Sequence, residues 1–470
     1  MLLIEMREDL VGKRIVILGL ARQGKALARF AANQGAIVVV SDVRPAEALQ
    51  PEIEELSDIA FEAVLGDHPL SLLDDADMLA VSGGVPDDAP LLASARKRGI
   101  PITNDSLEFI KRVQGTVIGI TGSAGKTTTT ALTGAMIRES GRQAWVGGNI
   151  GHPLISELEN IRSNDIVVQE LSSFQLQYWT ESPPIAAVLN ITPNHLDRHK
   201  TMVAYREAKS NILRFQTPND MALLSADDPG TGALRHLVRG RLREFSLELP
   251  VEDGAFVGNG KIRLRDTERE WVICDLADIP LRGQHNVRNV LAASVLADSV
   301  GVTAQEMKQA IREFDAVEHR LELVRTINGV QYVNDSIATS PERAIAALES
   351  FEEPVILLAG GRDKNMVWGE WGDIVIKRAK ATVLFGELRS MMADLLTRKA
   401  TNDASSPMIT EVEQLSEAVR VAAKIAQPGD VVLLAPGGTS FDAFVDFAAR
   451  GEFFRREVGL LADAQEEHSG

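Results

Sequence analysis

The chain reads as an α/β protein of three domains built on mostly parallel sheets, and three stretches predict it: residues 14–42, 116–139 and 330–440. Each shows the same order, an apolar β-branched run, a polar turn carrying glycine, and then helical spacing. At roughly 100 to 200 residues per domain, a chain of 470 residues makes about three domains, each large enough to bury its own core.

The first stretch, RIVILGLARQGKALARFAANQGAIVVVSD, reads as strand, glycine turn, amphipathic helix and strand ending at Asp42. This is a Rossmann-like βαβ start. The spacing from turn to Asp42 is about the 20 residues of a dinucleotide site, but Gly19-Leu20-Ala21-Arg22-Gln23-Gly24 lacks the middle glycine that lets backbone approach a pyrophosphate. NAD is disfavoured on that ground, while another nucleotide or a purely structural turn stays open. A further strand over residues 78–85 runs into Ser82-Gly83-Gly84. Parallel sheets bind ligands at the carboxyl ends of their strands, so Asp42, Arg44, Ser82 and Gly84 are candidates for one pocket, the alternative being plain turn chemistry. The first domain is expected to close near residue 104.

The second stretch, TVIGITGSAGKTT, is a β-branched strand entering a glycine-rich turn and a helix headed by lysine and threonines. Gly122, Ser123, Gly125, Lys126, Thr127 and Thr128 form a phosphate cradle: glycines permit close backbone approach, helix N–H groups face an anion, Lys126 adds charge and Thr127 can ligate Mg²⁺. The strict G-x-x-x-x-G-K-[ST] pattern is not met, since Ile120 occupies the first glycine position. A strand IVVQE then ends at Glu170, a carboxylate suited to hold Mg²⁺ beside the loop. The loop TPNHLDRH crowds His195, Asp197, Arg198 and His199 together, but it has neither the nearby cysteine nor the spacing of a tetrahedral zinc site. Lys209 lies on the helical run that follows. Residues 220–280 show short alternating segments, predicting a small antiparallel excursion from the parallel core, and Asn286 with Asn289 at i, i+3 can either face one ligand or cap a helix.

A third α/β unit begins near residue 317, where GVQYVND, PVILLAGGRDK, ATVLFG and DVVLLAPGGTSFD read as strands separated by helical spacing. The loop DSIATSP follows the first of them, Lys364 and Ser440 sit in two others, and Phe444 with Phe447 reads as core by spacing. The ending ADAQEEHSG reads as a solvated, frayed tail.

Forty-nine Lys and Arg against 66 Asp and Glu leave a net charge of −17, which excludes a sequence-independent hold on nucleic acid or an anionic membrane. Anionic ligands must therefore be met by local positive sites. The single cysteine, Cys274, reads as a small core residue and suits a reducing compartment. The acidic start MLLIEMREDL lacks the basic and apolar regions of a signal peptide, and no run approaches the roughly 18 apolar residues of a membrane span. The expectation is a cytoplasmic monomer acting on small molecules.

TGSAGKTT, GGNIG, ELSSFQL, NHLDRH, GQHNVRN, EHRLE, NDSIATS and LLAPGGTSFDAF occur in this order over essentially the whole chain. In them the chain resembles the Mur ligases, the ATP-dependent amino-acid-adding family of peptidoglycan synthesis, and most of all their glutamate-adding branch. The resemblance implies three domains: 1–104 for UDP-N-acetylmuramoyl-L-alanine, 105–316 as a P-loop ATPase-type domain for ATP, and a Rossmann-like 317–470 for glutamate. It implies Lys126, His195 and Lys209 as catalytic residues, with Thr127, Glu170, His195 and a carbamylated Lys209 serving two Mg²⁺ sites. Asn149 and His195 would touch the muramoyl substrate, Asn289 the adenine, Arg320 the phosphates and Asp335 the ribose region. Thr339, Lys364, Ser440 and Phe447 would line the glutamate site. A plain ammonium on Lys209 would repel Mg²⁺, whereas a carbamate is an anionic two-oxygen ligand for a hard cation. The implied reaction activates the L-alanyl carboxylate as an acyl phosphate, which the glutamate amine then attacks.

Four departures stand out: Ala124 where asparagine is common, Ser82-Gly83-Gly84 in place of Ser-Pro-Gly, Arg22-Gln23 in place of smaller or apolar residues, and Ile337 where many relatives carry lysine. Ile337 leaves the glutamate enantiomer open. The alternatives are an L-glutamate-adding variant, a Mur-type ligase for lysine, diaminopimelate or a dipeptide, and an ATP-regulated binding protein without turnover.

Overall fold

The structure is a computed structural model that describes residues 10–149, 151–194, 196–314, 319–364, 366–400 and 407–469. They group into two compact units, Met1–Asp278 with Arg288–Phe314, and Ile279–Val287 with Asp315–Gly470. Two sheets belong to the first unit and one to the second, giving an α/β architecture of three mostly parallel sheets.

The first sheet comprises β1 (Arg14–Leu18), β2 (Ile37–Asp42), β3 (Glu62–Leu65), β4 (Met78–Val81) and β5 (Ile102–Thr103), in the order β3-β2-β1-β4-β5, with every pairing parallel. Both faces are covered: Ile15 and Ile17 enter one apolar cluster, Val16 and Leu18 the other. A strand buried on both faces is a continuous apolar run, which is how RIVIL reads. The chain builds outward from β1 to β3, then crosses to β4, so a topological switch point lies between β1 and β4. The turn after β1 is tight, with Gly19 at φ +89°, and a Cβ on Gly24 would collide with the Gly19 carbonyl oxygen.

The second sheet holds β6 (Thr116–Thr121), β7 (Ala144–Gly148), β8 (Ile166–Glu170), β9 (Ile185–Val188), β10 (Met221–Ser225), β11 (Arg241–Ser246), β12 (Gly254–Gly258), β13 (Lys261–Arg265) and β14 (Glu270–Asp275). Its order is β14-β13-β12-β11-β10-β9-β6-β8-β7, and only β12, β13 and β14 pair antiparallel. The excursion is thus narrower than the 220–280 expected, because β10 and β11 join the parallel core. Met221–Ser225 is buried throughout, whereas β13 alternates, with Ile262 and Leu264 buried between half-exposed cations. That alternation marks a sheet solvated on one face. Cys274 on β14 is 1% exposed, and burial pushes its thiol up to about 12, as fits a core residue.

The third sheet comprises β15 (Glu322–Ile327), β16 (Val330–Asn334), β17 (Val355–Gly360), β18 (Ala379–Phe385), β19 (Met408–Glu411) and β20 (Val431–Gly437), in the order β15-β16-β20-β17-β18-β19. The β15–β16 hairpin turns on Asn328-Gly329, both at positive φ, the pair that matches the twist of two antiparallel strands. The other pairings are parallel. Along β17, Val355, Leu357 and Ala359 enter one cluster while Ile356 and Leu358 enter another.

Two local expectations change. The chain end continues a helix, Phe447–Ser469, because Leu, Ala, Gln and Glu favour helix and propagate one anchored by buried Phe454 and Val458. Of the two phenylalanines read as core, Phe444 does pack into it, 5.3 Å from the Phe453 ring, but Phe447 is 36% exposed. Among the described residues no helix is long and apolar enough to cross a membrane.

Candidate active site

The phosphate loop joins β6 to the helix Lys126–Glu139. Gly125 caps that helix at φ +82°, where a Cβ would be strained and would collide with Asn289 Oδ1, so glycine lets Asn289 approach the loop. Asn190, just past β9, clamps the neighbouring peptide from both sides: its Oδ1 accepts from the Ala124 N–H at 2.8 Å and its Nδ2 donates to the Ala124 carbonyl at 3.1 Å. The Ser123 hydroxyl donates to the Thr192 carbonyl at 2.9 Å, accepts from the Thr192 N–H at 3.0 Å and lies 3.0 Å from Tyr205 Oη. Lys126 Nζ donates to the Gly122 carbonyl at 3.0 Å, and Thr129 Oγ1 donates to Asn289 Oδ1 at 3.3 Å. A helix leaves its first-turn N–H groups without acceptors inside the helix, and here a rigid turn with Lys126 and half-buried Thr127 frames them. The Thr128 hydroxyl is buried behind the loop.

Lys209 comes to this loop from the helix Met202–Arg214 and is 1% exposed. Its Nζ donates to the Gly122 carbonyl at 2.9 Å and to Thr121 Oγ1 at 3.3 Å, and lies 4.8 Å from the Tyr205 ring centroid. Burial and then the charge of Lys126 push it well below the ordinary lysine range, against the pull of Glu170. Glu170 ends β8, paired with Ile120 on β6 and Gly148 on β7, and is 2% exposed. Its Oε1 accepts from Asn149 Nδ2 at 3.1 Å, but Oε2 has no hydrogen-bond partner. A buried carboxylate oxygen left without a donor is costly, and a hard cation such as Mg²⁺ would satisfy it, so the donor set fits that ion. Among the described residues no three His, Cys, Asp or Glu side chains cluster as a metal site by themselves. His195 lies outside the described residues.

Asp42, Arg44 and Ser82 gather around the Gly19–Leu20 turn at the switch point of the first sheet. Asp42 accepts from the Leu20 N–H at 2.8 Å and from the Arg44 N–H, Nε and Nη2 at 3.0, 3.1 and 3.0 Å. Burial works to raise its pKa, yet these hydrogen bonds together hold it at about 2, so it is a fixed anion. Ser82 Oγ donates to the Gly19 carbonyl at 3.1 Å. Gly84 stands apart on the exposed loop, with nothing within 4 Å of where a Cβ would be. Arg22, one of the departures, donates from Nη2 to the Asn149 carbonyl at 3.0 Å and so ties the first sheet to the second.

In the third sheet β16, β20 and β17 are neighbours, and the loops at their carboxyl ends carry Thr339, Ser440 and Lys364. Ser440 is buried, Thr339 half-buried, and Lys364 exposed with Nζ 5.4 Å from the Phe441 ring centroid. Phe447 meets His319 edge-on at 6.4 Å. Asp335 Oδ1 accepts from the Leu321 N–H at 3.1 Å, and burial pushes its carboxyl up to about 6 against the charges of Arg320 and Arg343. Asn286 and Asn289 play different parts, for Asn286 Nδ2 donates to the Arg282 carbonyl at 2.8 Å in a local turn, while Asn289 meets the phosphate loop.

Sequence reasoning passed over Asn190, Tyr205 and Arg450. A polar residue two places after a buried parallel strand is the signal for Asn190. Arg450 gave none, since a lone arginine in a helix reads as surface.

Three family models match in chain order: the MurD-like Mur ligase N-terminal domain at residues 13–104, the Mur ligase middle domain at 120–297, and the Mur ligase glutamate ligase domain at 319–438. The chain is similar to the UDP-N-acetylmuramoylalanine--D-glutamate ligase of Koribacter versatilis, 40% identical over 460 residues that cover 98% of this chain and 100% of the relative. A protein of the same name from Clostridium botulinum is 37% identical over 449 residues, covering 96% and 97%. Among solved structures, the fold is shared with a UDP-N-acetylmuramate-alanine ligase from Thermotoga maritima at TM-score 0.58 and 20% identity, covering 95% of this chain and 99% of that one. It is shared equally with a MurF ligase from the same organism in complex with ADP, at TM-score 0.58 and 18% identity, covering 97% and 100%. Matched end to end and in all three parts, the chain belongs to the Mur ligase family.

Proposed function

We propose that the protein is an ATP-dependent ligase that joins D-glutamate to UDP-N-acetylmuramoyl-L-alanine, releasing ADP and phosphate, in the cytoplasmic supply of peptidoglycan precursors. The observation that carries this reading is the meeting of buried Lys209 and buried Glu170 at the phosphate loop. The shared name of relatives at 37% and 40% identity supports the choice of substrates. The domain limits in this reading are 1–104, 105–316 and 317–470, and the protein works as a monomer.

A carboxylate is a poor electrophile, so the L-alanyl carboxylate must first be activated. It attacks the γ-phosphorus of ATP; the new O–P bond forms as the bond to the ADP oxygen breaks, giving an acyl phosphate. The glutamate amine then attacks the acyl carbon, phosphate leaves, and the amine gives up a proton. The loop N–H groups and Lys126 hold the transferring phosphoryl group in line, with Arg320 adding charge. Asn289 and Asp335 serve the adenine and ribose; Asp42, Arg44, Ser82, Gly84, Asn149 and His195 serve the uridine-linked substrate; Thr339, Lys364, Ser440 and Phe447 serve the glutamate. Mg²⁺, held by Thr127, Glu170, His195 and a carbamylated Lys209, would neutralise the phosphate oxygens. A lysine kept toward its neutral form is ready for that modification: its lone pair adds to CO₂ and a proton is released.

The test is phosphate release with ATP, Mg²⁺ and UDP-N-acetylmuramoyl-L-alanine, offering D-glutamate, L-glutamate, L-lysine and diaminopimelate in turn. D-glutamate is expected to support release; none with either enantiomer sinks the reading. Preference for L-glutamate would establish the second reading, since half-buried Ile337 in the β16 loop does not by itself select the enantiomer. ATP binding without turnover would leave a nucleotide-regulated binding protein.

A further inference from the structure

Arg450 is 0% exposed, yet no carboxylate lies within hydrogen-bond reach of its guanidinium in the bonds it makes. Nε donates to Ser336 Oγ at 3.0 Å, Nη2 to the Ser336 carbonyl at 2.9 Å, and Nη1 to the Gly438 carbonyl at 3.2 Å. Ser336 Oγ in turn donates to the Phe447 carbonyl at 2.7 Å. A third loop touches the same group: a Cβ added to Gly361, at φ +105°, would come within 3.0 Å of Arg450 Nη1. Gly361 leads into Arg362, whose N–H donates to the Thr439 carbonyl and whose carbonyl accepts from the Thr439 N–H, both at 2.9 Å.

One planar fork therefore joins the loops leaving β16, β17 and β20 and the helix that carries Phe447. Thr339 follows Ser336 by three residues, Lys364 follows Gly361 by three, and Ser440 follows Gly438 by two. All four residues assigned to the amino acid hang from groups that meet at Arg450. Burying a cation among neutral acceptors costs more than an apolar residue of similar shape would, so its retention calls for a geometric role. Lysine could not fill it, having one donor nitrogen where three separated directions are used.

We infer that Arg450 is the positioning residue of the glutamate pocket, fixing the mutual spacing of the three strand-end loops that receive the amino acid. The inference rests on reading those loops as the glutamate site. A second tie runs from the same helix: Gly451 packs against the His319 ring, and Asn334 Nδ2 lies 3.0 Å from His319 Nδ1. The loops are thereby held against the segment that carries Arg320.

The test compares Ser336→Ala, Arg450→Lys and, as a control, Val458→Ala, which loosens the same helix at a buried site away from the loops. Steady-state KM is measured separately for glutamate, ATP and UDP-N-acetylmuramoyl-L-alanine, alongside the thermal midpoint. Ser336→Ala, which loses the hydroxyl's bonds to Arg450 and to the Phe447 carbonyl, and Arg450→Lys, which leaves one donor nitrogen of three, are each expected to raise the glutamate KM at least about tenfold, with the other two KM values within about threefold. Val458→Ala should lower the midpoint and leave the glutamate KM unchanged. Equal rises in all three KM values, full activity in Arg450→Lys, or a glutamate KM that follows the midpoint in the control would overturn the inference. If the unmodified protein itself fails to use glutamate, the fault lies in the functional reading instead.

Discussion

Lys209 shows how much a single residue can depend on its surroundings. In the sequence it is one helical lysine among many; in the fold it is sealed against the Gly122 carbonyl with Lys126 and Glu170 beside it. Burial and the charge of Lys126 together outweigh the pull of Glu170 and drive the ammonium toward the free amine. Replacing it by alanine is expected to slow phosphate release at least about 100-fold, the scale of losing one charge-stabilising group, with partial recovery on adding acetate or formate. Unchanged turnover in Lys209→Ala would remove the carbamate from the mechanism. The phosphate-loop residues were legible because their types and spacing state their chemistry. Lys209, Asn190 and Arg450 were not, because what they do depends on which distant backbone groups they meet.

At the scale of elements, the loop between β6 and its helix depends on one glycine. Gly125→Ala costs about 1 kcal/mol for the left-handed backbone alone, and the added methyl also displaces Asn289. ATP binding should weaken by more than about tenfold while the thermal midpoint falls only a few degrees, measured by nucleotide titration and thermal melting on the same sample. Continuous apolar runs made β1, β6, β8, β17 and β20 readable, since strands covered on both faces leave that pattern. The lateral order was not: β20 comes last among the strands yet lies between β16 and β17. Short, partly exposed β3 and β19 have little pattern to read. The overextended antiparallel segment has the same origin, because neighbours beside a strand are chosen by the whole sheet rather than by its own residues.

For the whole molecule, stability should carry the imprint of two buried carboxyls, one in each compact unit. Burial raises Asp105 and Asp335 from 3.8 to about 6 in the folded protein. A raised carboxyl favours the fold fully below the unfolded value near 3.8, and that contribution is lost as pH rises through about 6, on the order of 3 kcal/mol for each group. Urea midpoints measured from pH 4.5 to 7 should fall, Asp105→Asn flattening the decline for the first unit and Asp335→Asn for the second. Because the depressed Lys209 contributes a slope of the opposite sign, the comparison is between variant and unmodified protein, and profiles left unchanged by Asp105→Asn and Asp335→Asn would contradict both assignments. Finally, the three sheets present most of their candidate ligand-binding groups on loops at strand carboxyl ends, while central strands such as β1 and β17 are anchored by apolar contacts on both faces. Mutation therefore falls on two nearly independent registers. Core positions can exchange one aliphatic residue for another over long divergence, as the shared fold at 18% and 20% identity illustrates. Loop positions can meanwhile be re-selected for a different amino acid without disturbing the frame, so new specificity can evolve faster than new architecture.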